Sequence, residues 1–295
     1  MANLLDIRRR IKSVKNTQQI TKAMKMVSAA RLRRAQERAV SARPFAVKMS
    51  EVLTDLATQA GEDFTHPLMD PRGDARYLLV LVTADKGLAG AFNANLIKAA
   101  QAFMREHEGS AVEILAVGRR GYDFFRRRGA VIAGEYIGLT GKGRIDHAEA
   151  LEVARDVMRR FIEDEGLDKV FVIFNEFRSV ISQRVVVEQL LPVSRAEGGA
   201  EEGATEPQNL VGYKYEQPPA EIFSQLLPRL VETQIYRALL ESVASEQGAR
   251  MTAMDSASKN AGELIQSLTL NMNRIRQASI TREIIEIVSG AAAAL

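Results

Sequence analysis

The sequence predicts an α/β chain: a long antiparallel coiled coil formed by the N- and C-terminal helices, plus a central Rossmann-like α/β domain. Three observations carry this. Met254, Ala257, Ala261, Leu264, Leu268, Asn271, Ile275 and Ala278 are spaced alternately by three and four residues, the rhythm of a heptad seam that wants a partner helix. Leu4, Ile7, Ile11 and Val14 begin a second stripe, which the polar Asn16-Thr17-Gln18-Gln19 interrupts and Ile20, Met24 and Val27 resume. Between these ends, apolar strand-like runs alternate with helical patterns, as in a mostly parallel sheet with covered faces.

In chain order, residues 1–60 read as one helical arm with a kink or short break at Pro44, closed by a loop over Gly61–Asp74. An α/β domain over residues 75–193 follows. Its strands are Tyr77–Thr83, Val112–Val117, Lys169–Phe177 and Gln183–Leu190, with helices near Asn93–Glu106, Arg119–Arg128 and Asp146–Glu163. The last strand pair suits an antiparallel edge. Residues 194–209, SRAEGGAEEGATEPQN, have the composition of a flexible acidic loop. Residues 210–295 complete the arm, with the last helix from about Pro228 to Val288; three alanines on its seam admit a close partner, and Asn271 would set register. About 60 helical residues make a rod on the order of 90 Å.

Composition narrows the function. At 295 residues and 46% hydrophobic content the chain can bury a sizeable core. No apolar run is long enough to span a bilayer and the N-terminus lacks a signal-peptide core, so direct membrane insertion is not expected and the cytoplasm or a membrane's cytoplasmic face is. With no cysteine there is no disulfide, zinc-thiolate site or thiol switch, and His66, His107 and His147 lack metal-ligand spacing. Residues 1–48 hold thirteen Lys or Arg against Asp6 and Glu37, a surplus of +11; with the chain at +3, the remainder carries −8. So lopsided a helix is suited to an acidic partner. Nucleic acid is the weaker reading, because the first forty-four positions contain no aromatic residue to stack on bases.

The candidate chemical sites are weak. Thr83–Ala91 is a strand-to-helix turn with Gly87 and Gly90, but it matches neither the three-glycine dinucleotide pattern nor a P-loop, and a tight structural turn is the expectation. Gly138–Gly143 has Tyr136 where a P-loop needs its first glycine and Gly143 where it needs a hydroxyl. Asp85–Lys86 and Asp146–His147 are adjacent titratable pairs with nothing to gather them into one cleft. No catalytic, cofactor or metal constellation emerges. The final Ile287–Leu295 has no charged side chain and suits a sleeve in another protein.

RIKSVKNTQQITKAMKMVSAARLRRAQ near the start, SEQGARMTAMDSASKNAGELI, and RQASITREIIEIVSGAAA near the end resemble the gamma subunit of F-type ATP synthases, and the resemblance covers essentially the whole chain. It implies a non-catalytic central-stalk rotor inside a ring of alpha and beta subunits, turned by the proton-driven c-ring, with the epsilon subunit nearby, on the cytoplasmic face of the bacterial inner membrane. Position in the motifs implies that Arg276, Gln277, Thr281 and Glu283 catch the beta subunits. Met24 and Lys25 correspond to positions facing the beta subunits' acidic lever segment, Arg250 lies on the matching face of the other helix, and the basic Arg33 and Arg34 belong to the same surface. Tyr213, Lys214, Tyr215 and Glu216 resemble the foot that meets the c-ring and epsilon. The photosynthetic form of the family carries an inserted cysteine pair, which this chain lacks.

Overall fold

A computed structural model describes residues 4–59, 64–180, 182–193 and 217–293; the acidic stretch 194–209 and the Tyr213–Glu216 foot lie outside the described residues. The chain divides into two compact units, Met1–Ser28 with Met251–Leu295, and Ala29–Arg250. Helix α1 spans Leu4–Gln59 and helix α5 spans Pro219–Ala293.

In the first unit the chain's ends pair antiparallel, because contacts rise in number along one helix as they fall along the other. Lys25 Nζ meets Asp255 Oδ1 at 2.6 Å, and Gln18 Nε2 donates to the Ser258 carbonyl at 3.3 Å. A Cβ on Gly262 would lie 3.1 Å from Gln18 Nε2, so the end of the Gln18 side chain reaches over that glycine. The α1 seam differs from the sequence expectation. It continues as Leu4, Ile7, Ile11, Val14, Gln18, Thr21, Lys25 and Ser28, all buried or half-buried, while Ile20 is 60% and Val27 52% exposed. An unbulged helix cannot change phase, so the stripe set by Leu4–Val14 carries through the polar stretch.

On α5 the expected Met254, Ala261, Leu268 and Ile275 do turn inward and Ala257 is half-buried beside Ser258, but beyond them the alternates are shifted by one residue to Ile265, Met272 and Ser279. Leu264, Asn271 and Ala278 are exposed, so Asn271 does not set register. Each helix therefore keeps a strict heptad, with Ile265 and Met272 supplying the bulk.

No break interrupts α1 at Pro44, where the ring removes one amide donor. Helix α5 starts at Pro219 rather than Pro228: the Pro218 carbonyl accepts from Glu221 N at 3.0 Å, and Pro219 fills the first position, where a missing N–H costs nothing.

The second unit holds a five-stranded sheet in the order β3-β2-β1-β4-β5. Strands β1 (Arg76–Val82), β2 (Ala111–Val117), β3 (Ile132–Tyr136) and β4 (Lys169–Phe177) run parallel, and β5 (Gln183–Leu191) is the antiparallel edge. β3 escaped the sequence reading because it is short, carries Gly134 and has no fully buried residue. Central β1 is covered on both faces. Leu79 and Leu81 pack with Leu96, Ala100 and Phe103 of α2 (Phe92–Glu106) and Phe125 of α3 (Arg119–Arg126). Leu78 and Val80 point to the opposite face by strand alternation, and α4 (His147–Glu163), packed on β4, buries Val153, Val157 and Phe161.

Candidate functional site

In a doubly wound sheet, ligands bind at the carboxyl ends of the strands where the strand order reverses. Here that point lies between β1 and β4, and the loops around it are closed on themselves. Asp85, just past β1, accepts at Oδ1 from the amides of Arg119 (3.0 Å) and Gly138 (2.9 Å). Its Oδ2 accepts from the Gly141 amide (2.6 Å) and the Thr140 hydroxyl (2.9 Å). With four donors on one carboxylate, Asp85 is a clamp across three loops and not half of an acid–base pair. Both glycine-bearing turns singled out in the sequence are parts of this clamp. Gly118 completes it: its φ is 98°, and a Cβ there would lie 2.1 Å from the Thr83 carbonyl oxygen.

The crevice is filled by α5. Glu241 Oε2 accepts from the Phe177 amide at 3.0 Å, and Ser245 Oγ donates to the Asn175 carbonyl at 3.0 Å, which ties the helix to the end of β4. Arg250 Nη2 donates to the Gly87 carbonyl at 3.2 Å, which ties it to the turn after β1. Arg250 is held in turn by Glu246 at 2.6 Å. Both are buried, at 7% and 2% exposure, and burial pushes the Glu246 carboxyl up against the opposing pull of Arg250. The Gly87 turn thus aims its carbonyl at a residue of its own chain. Glu246 escaped the sequence reading, although a Glu four residues before an Arg on one helix face was a usable signal.

The other adjacent pair is separated by role. Asp146 stands at the head of α4, where its amide donates to Glu149 Oε2 at 3.2 Å, and His147 stacks on Tyr236 with ring centroids 5.0 Å apart. Among the described residues no group of His, Asp or Glu is placed to hold a metal ion, and no helix is long and apolar enough to cross a membrane.

The remaining sequence-predicted residues lie on helix surfaces. Met24 is half-exposed, and Lys25, beside it, is engaged with Asp255. Hydrogen bonds from Lys25 and then Lys259 hold the Asp255 carboxyl below its ordinary value. Arg33 and Arg34 are exposed; Arg33 reaches Glu37 at 3.2 Å, and Arg34 has no ion pair among the described residues. Arg276, Gln277, Thr281 and Glu283 are all exposed on α5; Thr281 Oγ1 bonds back to the Gln277 carbonyl at 2.9 Å, and Glu283 Oε1 accepts from Ser279 Oγ at 3.3 Å. Around them Ile280, Ile284, Ile285, Ile287 and Val288 are between 48% and 71% exposed, an uncovered apolar surface of the kind that marks a binding face. Arg250 stands apart from this group by its burial.

Comparison with known proteins agrees along the full length. The ATP synthase family model matches residues 3–294. The ATP synthase gamma chain of Solibacter usitatus is 52% identical over 297 residues, covering 100% of both chains, and that of Geotalea daltonii is 51% identical over 293 residues, covering 99% of this chain and 98% of the relative. A chain of the Tetrahymena thermophila mitochondrial ATP synthase central stalk and c-ring superposes with a TM-score of 0.61 at 26% identity, over 81% of this chain and 99% of that one. A chain of the Euglena gracilis mitochondrial enzyme shares the fold, with a TM-score of 0.65 at 20% identity over 98% and 94%.

Proposed function

Since the chain belongs to the ATP synthase gamma-chain family, and is the central-stalk subunit of such a complex, we propose that it does no bond chemistry there and acts as a rotor. It couples the turning of a proton-driven c-ring to nucleotide chemistry at the beta subunits. The observation that carries this reading is the filled crevice: the place where an α/β sheet would hold a nucleotide is closed by Glu241, Ser245 and Arg250 of the chain's own helix.

In this reading the surface residues make the contacts. Arg33 and Arg34 present positive charge to an acidic segment of the beta subunits, which gives orientation and steering more than raw affinity. Met24 and Lys25 face the same segment, and Arg276, Gln277, Thr281 and Glu283 form the catch beside the apolar end of α5. Arg250 contributes from beneath the surface by anchoring α5 to the Gly87 turn. Tyr213, Lys214, Tyr215 and Glu216 are the proposed foot toward the c-ring and the epsilon subunit. The complex would sit on the cytoplasmic face of the bacterial inner membrane. Rotation does work because each beta subunit has conformers that contact an asymmetric surface with different free energies, so turning the surface changes which conformer is favoured.

The test is charge reversal. In the assembled complex, Arg33→Glu with Arg34→Glu is expected to lower proton-driven ATP synthesis severalfold while subunit stoichiometry stays the same. Unchanged synthesis would remove these two arginines from the coupling surface. ATP hydrolysis by the isolated chain would overturn the non-catalytic reading altogether.

A further inference from the structure

The sheet unit contains a second feature that the rotor reading does not use, an open cavity of about 770 Å³ walled by α1, the start of α4 and α5. That volume is in the range of small-molecule sites, about 300–1,000 Å³. Two properties of its lining specify a ligand.

The first is charge. Glu232 is buried and doubly matched, with Arg229 Nη1 at 3.0 Å and Arg155 Nε at 3.6 Å. Asp146 has Arg144 at 3.4 Å, and Arg237 pairs with Glu188 at 2.7 Å. Each acid at the cavity is therefore neutralised. Arg38 lines it with no ion pair among the described residues, and the Tyr236 hydroxyl has no hydrogen-bond partner among them. A guanidinium and a phenol, both donors, are left over, and together they suit an anion.

The second is shape. Tyr236 and His147, stacked on one another at 15°, both line the cavity. Phe45 on α1 also lines the cavity and is 60% exposed, an aromatic ring with nothing of its own to cover. Flat rings on two walls favour a flat occupant.

We propose that this cavity binds a planar aromatic ring system carrying one anionic group, with Arg38 and the Tyr236 hydroxyl on the anion and the Tyr236–His147 pair and Phe45 against the ring. Nucleoside monophosphates and aromatic carboxylates share this chemistry. The site stands independently of the rotor reading, since none of its residues belongs to the proposed coupling surface.

The test uses the assembled complex with two photoreactive probes, 8-azido-AMP and 4-azidobenzoate, and maps labelled peptides on this chain, so that labelling of nucleotide sites elsewhere is read separately. The expected result is labelling of the peptides containing Phe45 or Tyr236, competed by unlabelled probe. Arg38→Gln should weaken it about tenfold, and Ser41→Trp, which fills the cavity from an exposed position, should abolish it. Labelling by azido-AMP alone assigns the site to nucleoside monophosphates, and by azidobenzoate alone to aromatic carboxylates. Labelling by neither, or labelling indifferent to both substitutions in complexes of normal stoichiometry, overturns the proposal.

Discussion

The coil of the chain's two ends and the sheet are held by different physics. In the sheet unit, Leu79, Leu81, Ile114, Leu115, Ala116, Val117 and Ile173 are all at 0% exposure, and each large apolar side chain so buried contributes about 1.5–3 kcal/mol. In the coil the seam runs through Gln18, Thr21, Lys25 and Ser28 on one helix and Ser258, Ala261 and Ser279 on the other. Beside apolar seam residues such as Met254, Ile265 and Met272, the polar positions specify register through hydrogen bonds and one ion pair. The sheet supplies its own stability, whereas the coil leaves Ile20, Val27 and the Ile280–Val288 surface for other chains to cover. A part that must slide against partners is suited to a surface completed by them, and the part that carries it is suited to a closed core.

The comparison is broken most directly at the sheet. Leu79→Ala is expected to destabilise the sheet unit by about 2–5 kcal/mol, read as a lowered denaturant midpoint for its tyrosine signal; a loss under about 1 kcal/mol would show that the core is not what holds this unit. Asp85→Asn should cost somewhat less, about 2–3 kcal/mol. It replaces an acceptor of four donors by an amide whose NH₂ opposes a backbone N–H, and hydrogen exchange should rise together at Arg119, Gly138 and Gly141. Protection unchanged at all three would refute the clamp.

A smaller effect sharpens the coil's side. Ile265→Ala should loosen the pairing of the two ends by about 1 kcal/mol, and Leu264→Ala, at 44% exposure, by no more than about 0.5 kcal/mol. Amide exchange across residues 254–272 distinguishes them, and equal effects would restore the seam expected from spacing alone.

The smallest effect concerns acid and salt. Asp255 is held below the ordinary 3.8 by Lys25 and Lys259, and Asp168 by the backbone amides of Ala75 and Arg76. For both, the folded value is depressed, so their stabilisation is complete above the unfolded value near 3.8 and is lost as pH falls through the lower folded value. Raising salt at pH 7 should weaken the half-exposed Lys25–Asp255 pair, which solvent ions can reach, and leave the amide-bound Asp168 nearly unchanged. Equal salt dependence of exchange around the two carboxylates would contradict the assignment.

Much of this was legible before any coordinate. β1 announces itself through Tyr77–Val82, an unbroken apolar run that only a strand covered on both faces can bury, and β4 does so through Val170–Phe174. The antiparallel edge and the reading of the two glycine-bearing stretches as a turn and a loop were legible in residue type at each position. β3 was hidden because an edge strand of half-buried residues has no pattern of its own. The role of Asp85 was hidden because its partners are backbone amides and a hydroxyl brought close by folding, whereas Glu246 had a local signal in Arg250 and only the burial of that pair was hidden.

The sequence by itself determined the long helices and four of the five strands, that the two ends pair, and which family the chain belongs to, because periodicity, turn residues and motif spacing are local properties. Tertiary structure alone decided the phase of the coil. Leu264 and Ile265 are equally apolar, and only the twist set by neighbouring turns selects the one that faces inward. It also decided what fills the sheet's crevice: Arg250 reads as one more basic residue on a helix until folding brings the Gly87 carbonyl within 3.2 Å of its guanidinium.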